Sequence, residues 1–215
     1  MNGVMTMADL LIETDLTQEQ KEYAETIRKS GQTLLKMINQ ILELSKMETN
    51  AMELEYETFE LSHCIGETLD LFTRECRKKS LDIEVWVDSN VPLTLSGDCS
   101  RIRQILINLI GNAVKFTESG RIDIEVRQIS EDESSIELEF IVKDTGIGIQ
   151  EKDIGALFQP FSQLDSATNR KYEGTGLGLV ISKHLVELMS GSIRIKPNEG
   201  AGVSFIFTIH VHRAL

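Results

Sequence analysis

Cysteine is scarce in this chain, and basic charge is outweighed by acidic. The 3 cysteines, Cys64, Cys76 and Cys99, are odd in number, with no C-x-x-C spacing and no histidine cluster beside them. That pattern argues against a disulfide framework or a zinc site and predicts small buried thiols in a reducing compartment. Lysine and arginine total 22 against 34 aspartates and glutamates, a formal net charge of −12. A chain of that sign repels a phosphate backbone or an anionic leaflet, so nucleic acid and membrane surface are poor partners. Long apolar runs are missing too: none reaches the ~18 residues that would span a bilayer, and no signal-like stretch follows Met1. The piece reads as cytoplasmic, with any membrane sensor lying elsewhere in a longer protein. What remains is ordinary for a folded domain, with 41% hydrophobic and 26% charged residues, which excludes disordered and fibrous classes. A length of 215 residues accommodates one α/β domain and a smaller appendage.

Residues 1–12 look helical but uncapped, as though the helix were cut. Thr17-x-x-Gln20 is a capping-box pattern that opens a second helix running to about Met47. Along it Ile27, Leu34 and Ile41 recur every seven residues, with Leu35 and Leu42, and Met37 and Leu44, in parallel rows. So broad a stripe cannot be buried by a short hairpin alone, and pairing with a second chain into a four-helix bundle is the expected outcome. Polar residues 48–57 mark a boundary. Beyond it the spacing predicts helix over 62–78, strand over 82–87, helix over 100–116 and hairpin strands over 121–128 and 136–143. A short helix over 151–157, a helix over 177–189 and strands over 193–196 and 203–210 complete the reading. Ile122, Ile124 and Val126 alternate with Asp123 and Glu125, the two-residue period of a half-buried strand. Hairpin-linked strands mixed with helices predict a mixed sheet with helices on one face.

Three segments carry chemistry. In Asn108-Leu-Ile-Gly-Asn112-Ala-Val-Lys115-Phe116-Thr117, the polar residues Asn108, Asn112 and Lys115 fall at i, i+4 and i+7, while Ile105, Leu106, Leu109 and Ile110 take the other face. Amide oxygens can ligate Mg²⁺ and an ammonium can meet phosphate oxygens, so the row suits a metal-bridged polyphosphate; a pair of surface asparagines is the alternative. Asp144-Thr-Gly146-Ile-Gly148-Ile149 follows a strand, and its glycines permit close backbone approach to something flat or charged, or simply a strand-end turn. Gly174-Thr175-Gly176-Leu177-Gly178-Leu179 opens a helix whose exposed amides could cradle phosphates. It has no Walker lysine and follows no strand, so P-loop and dinucleotide-fold readings both fail. The intervening 159–173 loop is longer than compact domains usually keep without a function.

In this order the segments resemble the N box, the DTGIGI box and the GTGLGL box of sensor histidine kinases, in the GHKL ATPase superfamily. Phe158-Gln-Pro-Phe161-Ser-Gln163-Leu-Asp165 resembles the F box, and Gly97-Asp98-x-x-Arg101-x-x-Gln104 the approach to the N box. Met1-Asn-Gly-Val and residues 17–48 resemble the part of the dimerisation hairpin that follows the phosphoacceptor motif. None of His63, His184, His210 and His212 stands in that motif. The resemblance implies an α+β chain: over 1–50 a truncated helical hairpin of the dimer four-helix-bundle type without the acceptor histidine, and over 56–215 an ATP-binding catalytic α/β sandwich. It implies an ATP- and Mg²⁺-dependent protein-histidine kinase, homodimeric through the hairpin, with a response regulator receiver domain as partner. Such a fragment could not phosphorylate itself.

On the same footing Asp144 would accept from the adenine amino group, Asn112 would ligate Mg²⁺, Lys115 would neutralise phosphate, and Phe116 would pack beside the base. Gly146, Gly148, Gly174, Gly176 and Gly178 would admit the nucleotide, with Ile149 beside them. Thr175 and Leu177 would line the phosphate end, and Arg170 and Lys171, in the lid, would contact the γ-phosphate. Asn108 stands where hydrolysing relatives carry a glutamate base, which predicts slow hydrolysis. Gln163 replaces the arginine of many simple sensor kinases, in the manner of the hybrid subgroup, and Glu173 replaces a frequent glycine. A nucleotide-binding pseudokinase or regulatory dimerisation module, and an ATPase of the chaperone, gyrase or mismatch-repair type, are the competing readings.

Overall fold

The computed structural model describes residues 2–49, 52–132, 135–162 and 175–214. It divides into two compact units, Met1–Met52 and Glu53–Leu215.

The first unit is a helical hairpin of α1 (Asn2–Ile12) and α2 (Gln18–Glu48). The capping box forms as the spacing predicts: Gln20 N donates to Thr17 Oγ1 at 3.3 Å and Thr17 N donates to Gln20 Oε1 at 3.0 Å, satisfying two otherwise orphaned donors at the start of α2. Buried Ala8 and Ala24 let the helices close. The seven-residue row stays open, with Ile27, Leu34 and Ile41 all 46–49% exposed. A wholly apolar groove of about 490 Å³ lies between Val4, Met7 and Leu11 of α1 and Ile27 of α2.

The second unit begins with β1 (Glu57–Glu60), α3 (Leu61–Asp70), α4 (Thr73–Lys79), β2 (Leu81–Val87) and β3 (Thr94–Gly97). It continues with α5 (Cys99–Phe116), β4 (Gly120–Glu131), β5 (Ile136–Asp144), a 3-10 helix (Glu151–Ala156), α6 (Gly178–Leu188), β6 (Ile193–Pro197) and β7 (Val203–Arg213). Among the described residues the sheet has 7 strands in the order β1-β3-β7-β5-β4-β2, with β6 also on β7. β2 runs parallel to β4 and the other pairs are antiparallel, so the sheet is mixed. Cross-strand rows Ile124–Val142–Phe205 and Val126–Phe140–Phe207 line up on one face, the face the helices cover. Phe140 and Phe207 stack there with ring centroids 4.7 Å apart. Ile102, Ile105, Leu106, Leu109 and Ile110 of α5 are fully buried against that face.

Two local expectations are corrected and a third is made specific. The helix expected over 62–78 breaks after Asp70 into α3 and α4, and Phe72, in the break, lies against α5 beside Gly111, where a Cβ would stand in ordinary contact 3.5 Å from Phe72 Cε1. Residues 57–60 and 94–97 are short paired strands that the periodicity does not reveal, since four residues carry too little alternation. The short helix expected over 151–157 is present as a 3-10 helix, Glu151–Ala156, in which the Gln150 and Ile154 carbonyls are met at i+3 by Asp153 N and Leu157 N. All 3 cysteines are buried free thiols, and burial together with neighbouring Cys99 pushes the Cys64 thiol up to about 12. None of the helices among the described residues is long and apolar enough to cross a membrane.

Candidate functional site

Helix α5 is pinned at both ends. Asp98, 3% exposed, is its N-cap: Oδ1 accepts from Arg101 N at 3.0 Å and Ser100 Oγ at 2.7 Å, and Oδ2 from Glu55 N at 3.1 Å. At the other end Lys79 Nζ donates to the carbonyls of Val114 at 2.7 Å, Lys115 at 3.1 Å and Thr117 at 3.0 Å, placing a cation on the negative pole of the helix dipole. The result is a fixed rod bearing Asn108, Asn112 and Lys115 half-buried along one side.

Asn108 reaches α6. Its Nδ2 donates to the buried Ser182 Oγ at 2.8 Å, and its Oδ1 lies where a Cβ on Gly178 would fall, so any side chain there would have to push the Asn108 amide aside. Lys115 Nζ sits 4.7 Å from the centroid of the Phe116 ring, a cation–π distance that holds the ammonium beside the ring face.

Asp144 ends β5 and is 3% exposed. Its Oδ1 accepts from Gly146 N at 2.8 Å, and the carboxyl also takes the Val203 main-chain N–H. Burial raises its pKa and those two donors pull it back; burial prevails. Gly146 crosses the end of α5 so closely that a Cβ would lie 2.5 Å from Phe116 O, the same carbonyl that accepts from Ile147 N at 3.3 Å. Gly148 and Gly176 both take positive φ, 71° and 70°, and Gly176 lies against the Phe161–Ser162 backbone. Thr175 Oγ1 accepts from Leu177 N at 3.3 Å, folding the start of α6, and Leu177 is fully buried. Ile149 is half-buried.

The structure thus brings Asn108 to Gly178, Phe116 to Gly146, and the 161–162 segment to Gly176, all around one corner of the sheet. Arg170, Lys171 and Gly174, with Gln163 and Glu173, lie outside the described residues. Sequence reasoning missed three supports: Lys79 on the α5 terminus, Ser182 under Asn108, and Asn198, whose Nδ2 donates to Asp144 O at 2.8 Å. Each meets its partner across a long stretch of chain, and only the Asn198-to-Gly202 turn residues carried a local signal. The histidines have structural surroundings: His63 pairs with Glu67 at 3.3 Å, and the His212 ring lies 5.4 Å from that of Tyr56.

Residues 97–213, which hold Asn108, Asn112, Lys115, Phe116, Asp144 and the glycines around them, match the family described as histidine kinase-, DNA gyrase B-, and HSP90-like ATPase. The chain belongs to this ATPase family. Residues 1–50 of the ATPase chain match the His Kinase A (phospho-acceptor) domain. It is 42% identical over 208 residues to hybrid signal transduction histidine kinase B of Dictyostelium discoideum, an alignment covering 97% of this chain and 11% of that protein. It is 41% identical over 214 residues to sensor protein GacS of Pseudomonas syringae pv. syringae, covering 100% of this chain and 24% of that one. The ATPase chain therefore spans under a quarter of the length of these curated relatives. Full-length ShkA, solved in complex with AMPPNP, superposes with a TM-score of 0.84 at 33% identity over 99% of this chain and 43% of that chain. ThkA, solved in complex with the response regulator protein TrrA, superposes at 0.65 with 27% identity over 97% of this chain and 57% of that one. Within the ATPase family this chain stands on the histidine kinase branch, a helical hairpin region followed by the histidine-kinase ATPase fold.

Proposed function

We propose that this chain is the ATP-binding catalytic part of a sensor histidine kinase, with the hairpin portion over 1–50 and the catalytic domain over 56–215, and that it passes the ATP γ-phosphoryl group to a histidine outside these residues. The observation that carries the reading is Asp144: a buried carboxylate, held by two main-chain N–H groups and framed by glycines, with acceptor capacity left over. A carboxylate accepts from the six-amino group of adenine, whereas guanine offers an oxygen there, so Asp144 would select adenine. Phe116 would flank the base and Lys115 would meet phosphate oxygens.

Among the described residues no group of three His, Cys, Asp or Glu side chains converges as a metal cage. The oxygen of Asn112 fits Mg²⁺, an ion that keeps its waters and takes substrate phosphates rather than a full protein cage. When bound it would supply charge neutralisation between phosphates. Gly146, Gly148, Gly174, Gly176 and Gly178, with Ile149, Thr175 and Leu177, would frame the nucleotide, and Arg170 and Lys171 would meet its γ end. Phosphoryl transfer is mostly positioning and electrostatics, so such a frame suffices once an acceptor nitrogen is docked in line. Asn108 is an amide already committed to Ser182 and cannot take a proton from water, which supports slow hydrolysis.

The 4 histidines, His63, His184, His210 and His212, all lie beyond residues 1–50, so self-phosphorylation at the hairpin is not expected. The open apolar stripe on α2 supports a homodimer, and the solved complex of the related ThkA with the response regulator protein TrrA supports a response regulator receiver domain as the downstream partner. The test is phosphotransfer in trans: the chain, [γ-³²P]ATP and Mg²⁺ are mixed with a hairpin carrying the acceptor histidine. Acid-labile, base-stable label on that hairpin is expected, and its absence alongside intact ATP binding would favour the pseudokinase reading.

A further inference from the structure

The turn between β6 and β7 grips Asp144 from both ends. At its main chain, Asn198 Nδ2 donates to Asp144 O at 2.8 Å. Asn198 is itself oriented: Ser204 Oγ donates to its Oδ1 at 2.6 Å, and its own N–H donates to Gly202 O at 3.2 Å. At the side chain, Val203, which opens β7 directly after the turn, gives its main-chain N–H to the Asp144 carboxyl. The two grips are possible together because Gly202, at φ 88°, lies flat on Asp144; a Cβ there would collide with Asp144 O and stand 2.9 Å from Thr145 Cα. Ser204 in turn is locked in the sheet between Lys143 of β5 and Lys196 of β6. The carboxylate at the strand end therefore takes its direction from a turn 54 residues downstream, not from its own loop alone.

We infer that Asn198, seated by Ser204, is a positioning residue for adenine recognition: it holds the β6–β7 turn so that the Asp144 carboxylate is aimed at the six-amino group of the base. The inference rests on the nucleotide reading given above and deepens it. A hydrogen bond to a charged acceptor depends steeply on angle, so releasing one grip costs the amino contact while leaving contacts to sugar and phosphates in place. A merely structural Asn198 would instead weaken every nucleotide alike.

The discriminating experiment compares two ligands by calorimetry in Mg²⁺, ADP and purine riboside diphosphate, the latter lacking the six-amino group. The full chain, Asn198→Ala, Ser204→Ala, Ser204→Thr and Asp144→Ala are titrated after each is shown to keep a cooperative thermal transition. The expected result is a loss of about tenfold in ADP affinity for Asn198→Ala, the size of one misaimed charge-assisted bond. The purine riboside diphosphate Kd should stay within about twofold. Ser204→Ala follows in the same direction and Ser204→Thr, which keeps the hydroxyl, restores the preference; these carry the test should Asn198→Ala fail to fold. If Asp144→Ala abolishes the ADP preference while Asn198→Ala and Ser204→Ala retain it, the inference is wrong and the nucleotide reading stands. Equal weakening of both ligands by Asn198→Ala also overturns it. A wild-type chain that binds both ligands equally, unaffected by Asp144→Ala, removes the adenine reading and the inference together.

Discussion

Replacing Gly178 by alanine isolates the seam between α5 and α6. The new methyl would land on Asn108 Oδ1 and within 2.8 Å of its Cγ and Nδ2. Helix α6 cannot back away cheaply, because Leu177, Val180, Ile181, Leu185 and Val186 are buried in the core. Asn108 must therefore swing, and its 2.8 Å bond to the buried Ser182 hydroxyl breaks. Leaving that pair unmade costs ~1–3 kcal/mol. Against this, alanine gains up to ~1 kcal/mol of helix propensity over glycine. The net expectation is destabilisation of about 1–2 kcal/mol.

Urea unfolding followed by the fluorescence of Trp86, the only tryptophan and a member of β2, reports on the ATPase unit rather than the hairpin. The decisive comparison is a double-mutant cycle. In an Asn108→Ala background the methyl meets empty space, so Gly178→Ala turns neutral or stabilising, a coupling of about 2 kcal/mol. A penalty that persists in both backgrounds, or appears in neither, refutes the reasoning.

Lys79→Met removes the ammonium from three carbonyls at the end of α5 and lowers stability by ~1–2 kcal/mol in the same urea assay, with Lys79→Arg recovering part of it. Asp144 titrates above its ordinary value in the folded chain because of burial, so the folded state binds the extra proton more readily than the unfolded one. Stability contributed by this group is therefore fully present below the ordinary aspartate range and falls as pH rises to the elevated folded value. Asp144→Asn should accordingly raise Tm at neutral pH, with the gain vanishing in acid; a pH-independent difference would contradict this. Ile41→Glu on the open stripe of α2 should move the chain from dimer to monomer in sedimentation velocity without changing the Tm of the ATPase unit.

How much of this was legible beforehand depended on whether the signal was local. The α5 helix, expected over 100–116, is Cys99–Phe116, and the β4–β5 hairpin stands where alternation put it, because apolar period and turn residues lie within a few positions of one another. The capping box of α2 was readable for the same reason. The α3–α4 break was not, since no local turn signal marks it and it falls where Phe72 meets Gly111 of α5, a tertiary contact. The boxes announced Asp144 and the glycines, yet the supports under them, Lys79, Ser182 and Asn198, meet partners 35, 74 and 54 residues away. Polar residues of that kind look like ordinary surface positions until the fold brings them inward. Gly146 and Gly178 illustrate the complement: their spacing suggested room for a ligand, and in the structure their missing side chains also make room for Phe116 O and Asn108.

The most direct test of the whole account is calorimetric titration of the chain with AMPPNP in excess Mg²⁺, beside Asp144→Ala. Saturable one-site binding with a Kd in the micromolar range, weakened at least about tenfold by the substitution, is the predicted outcome. A folded chain that shows no heat of binding at millimolar nucleotide, or binds equally well with Asp144 removed, would contradict it.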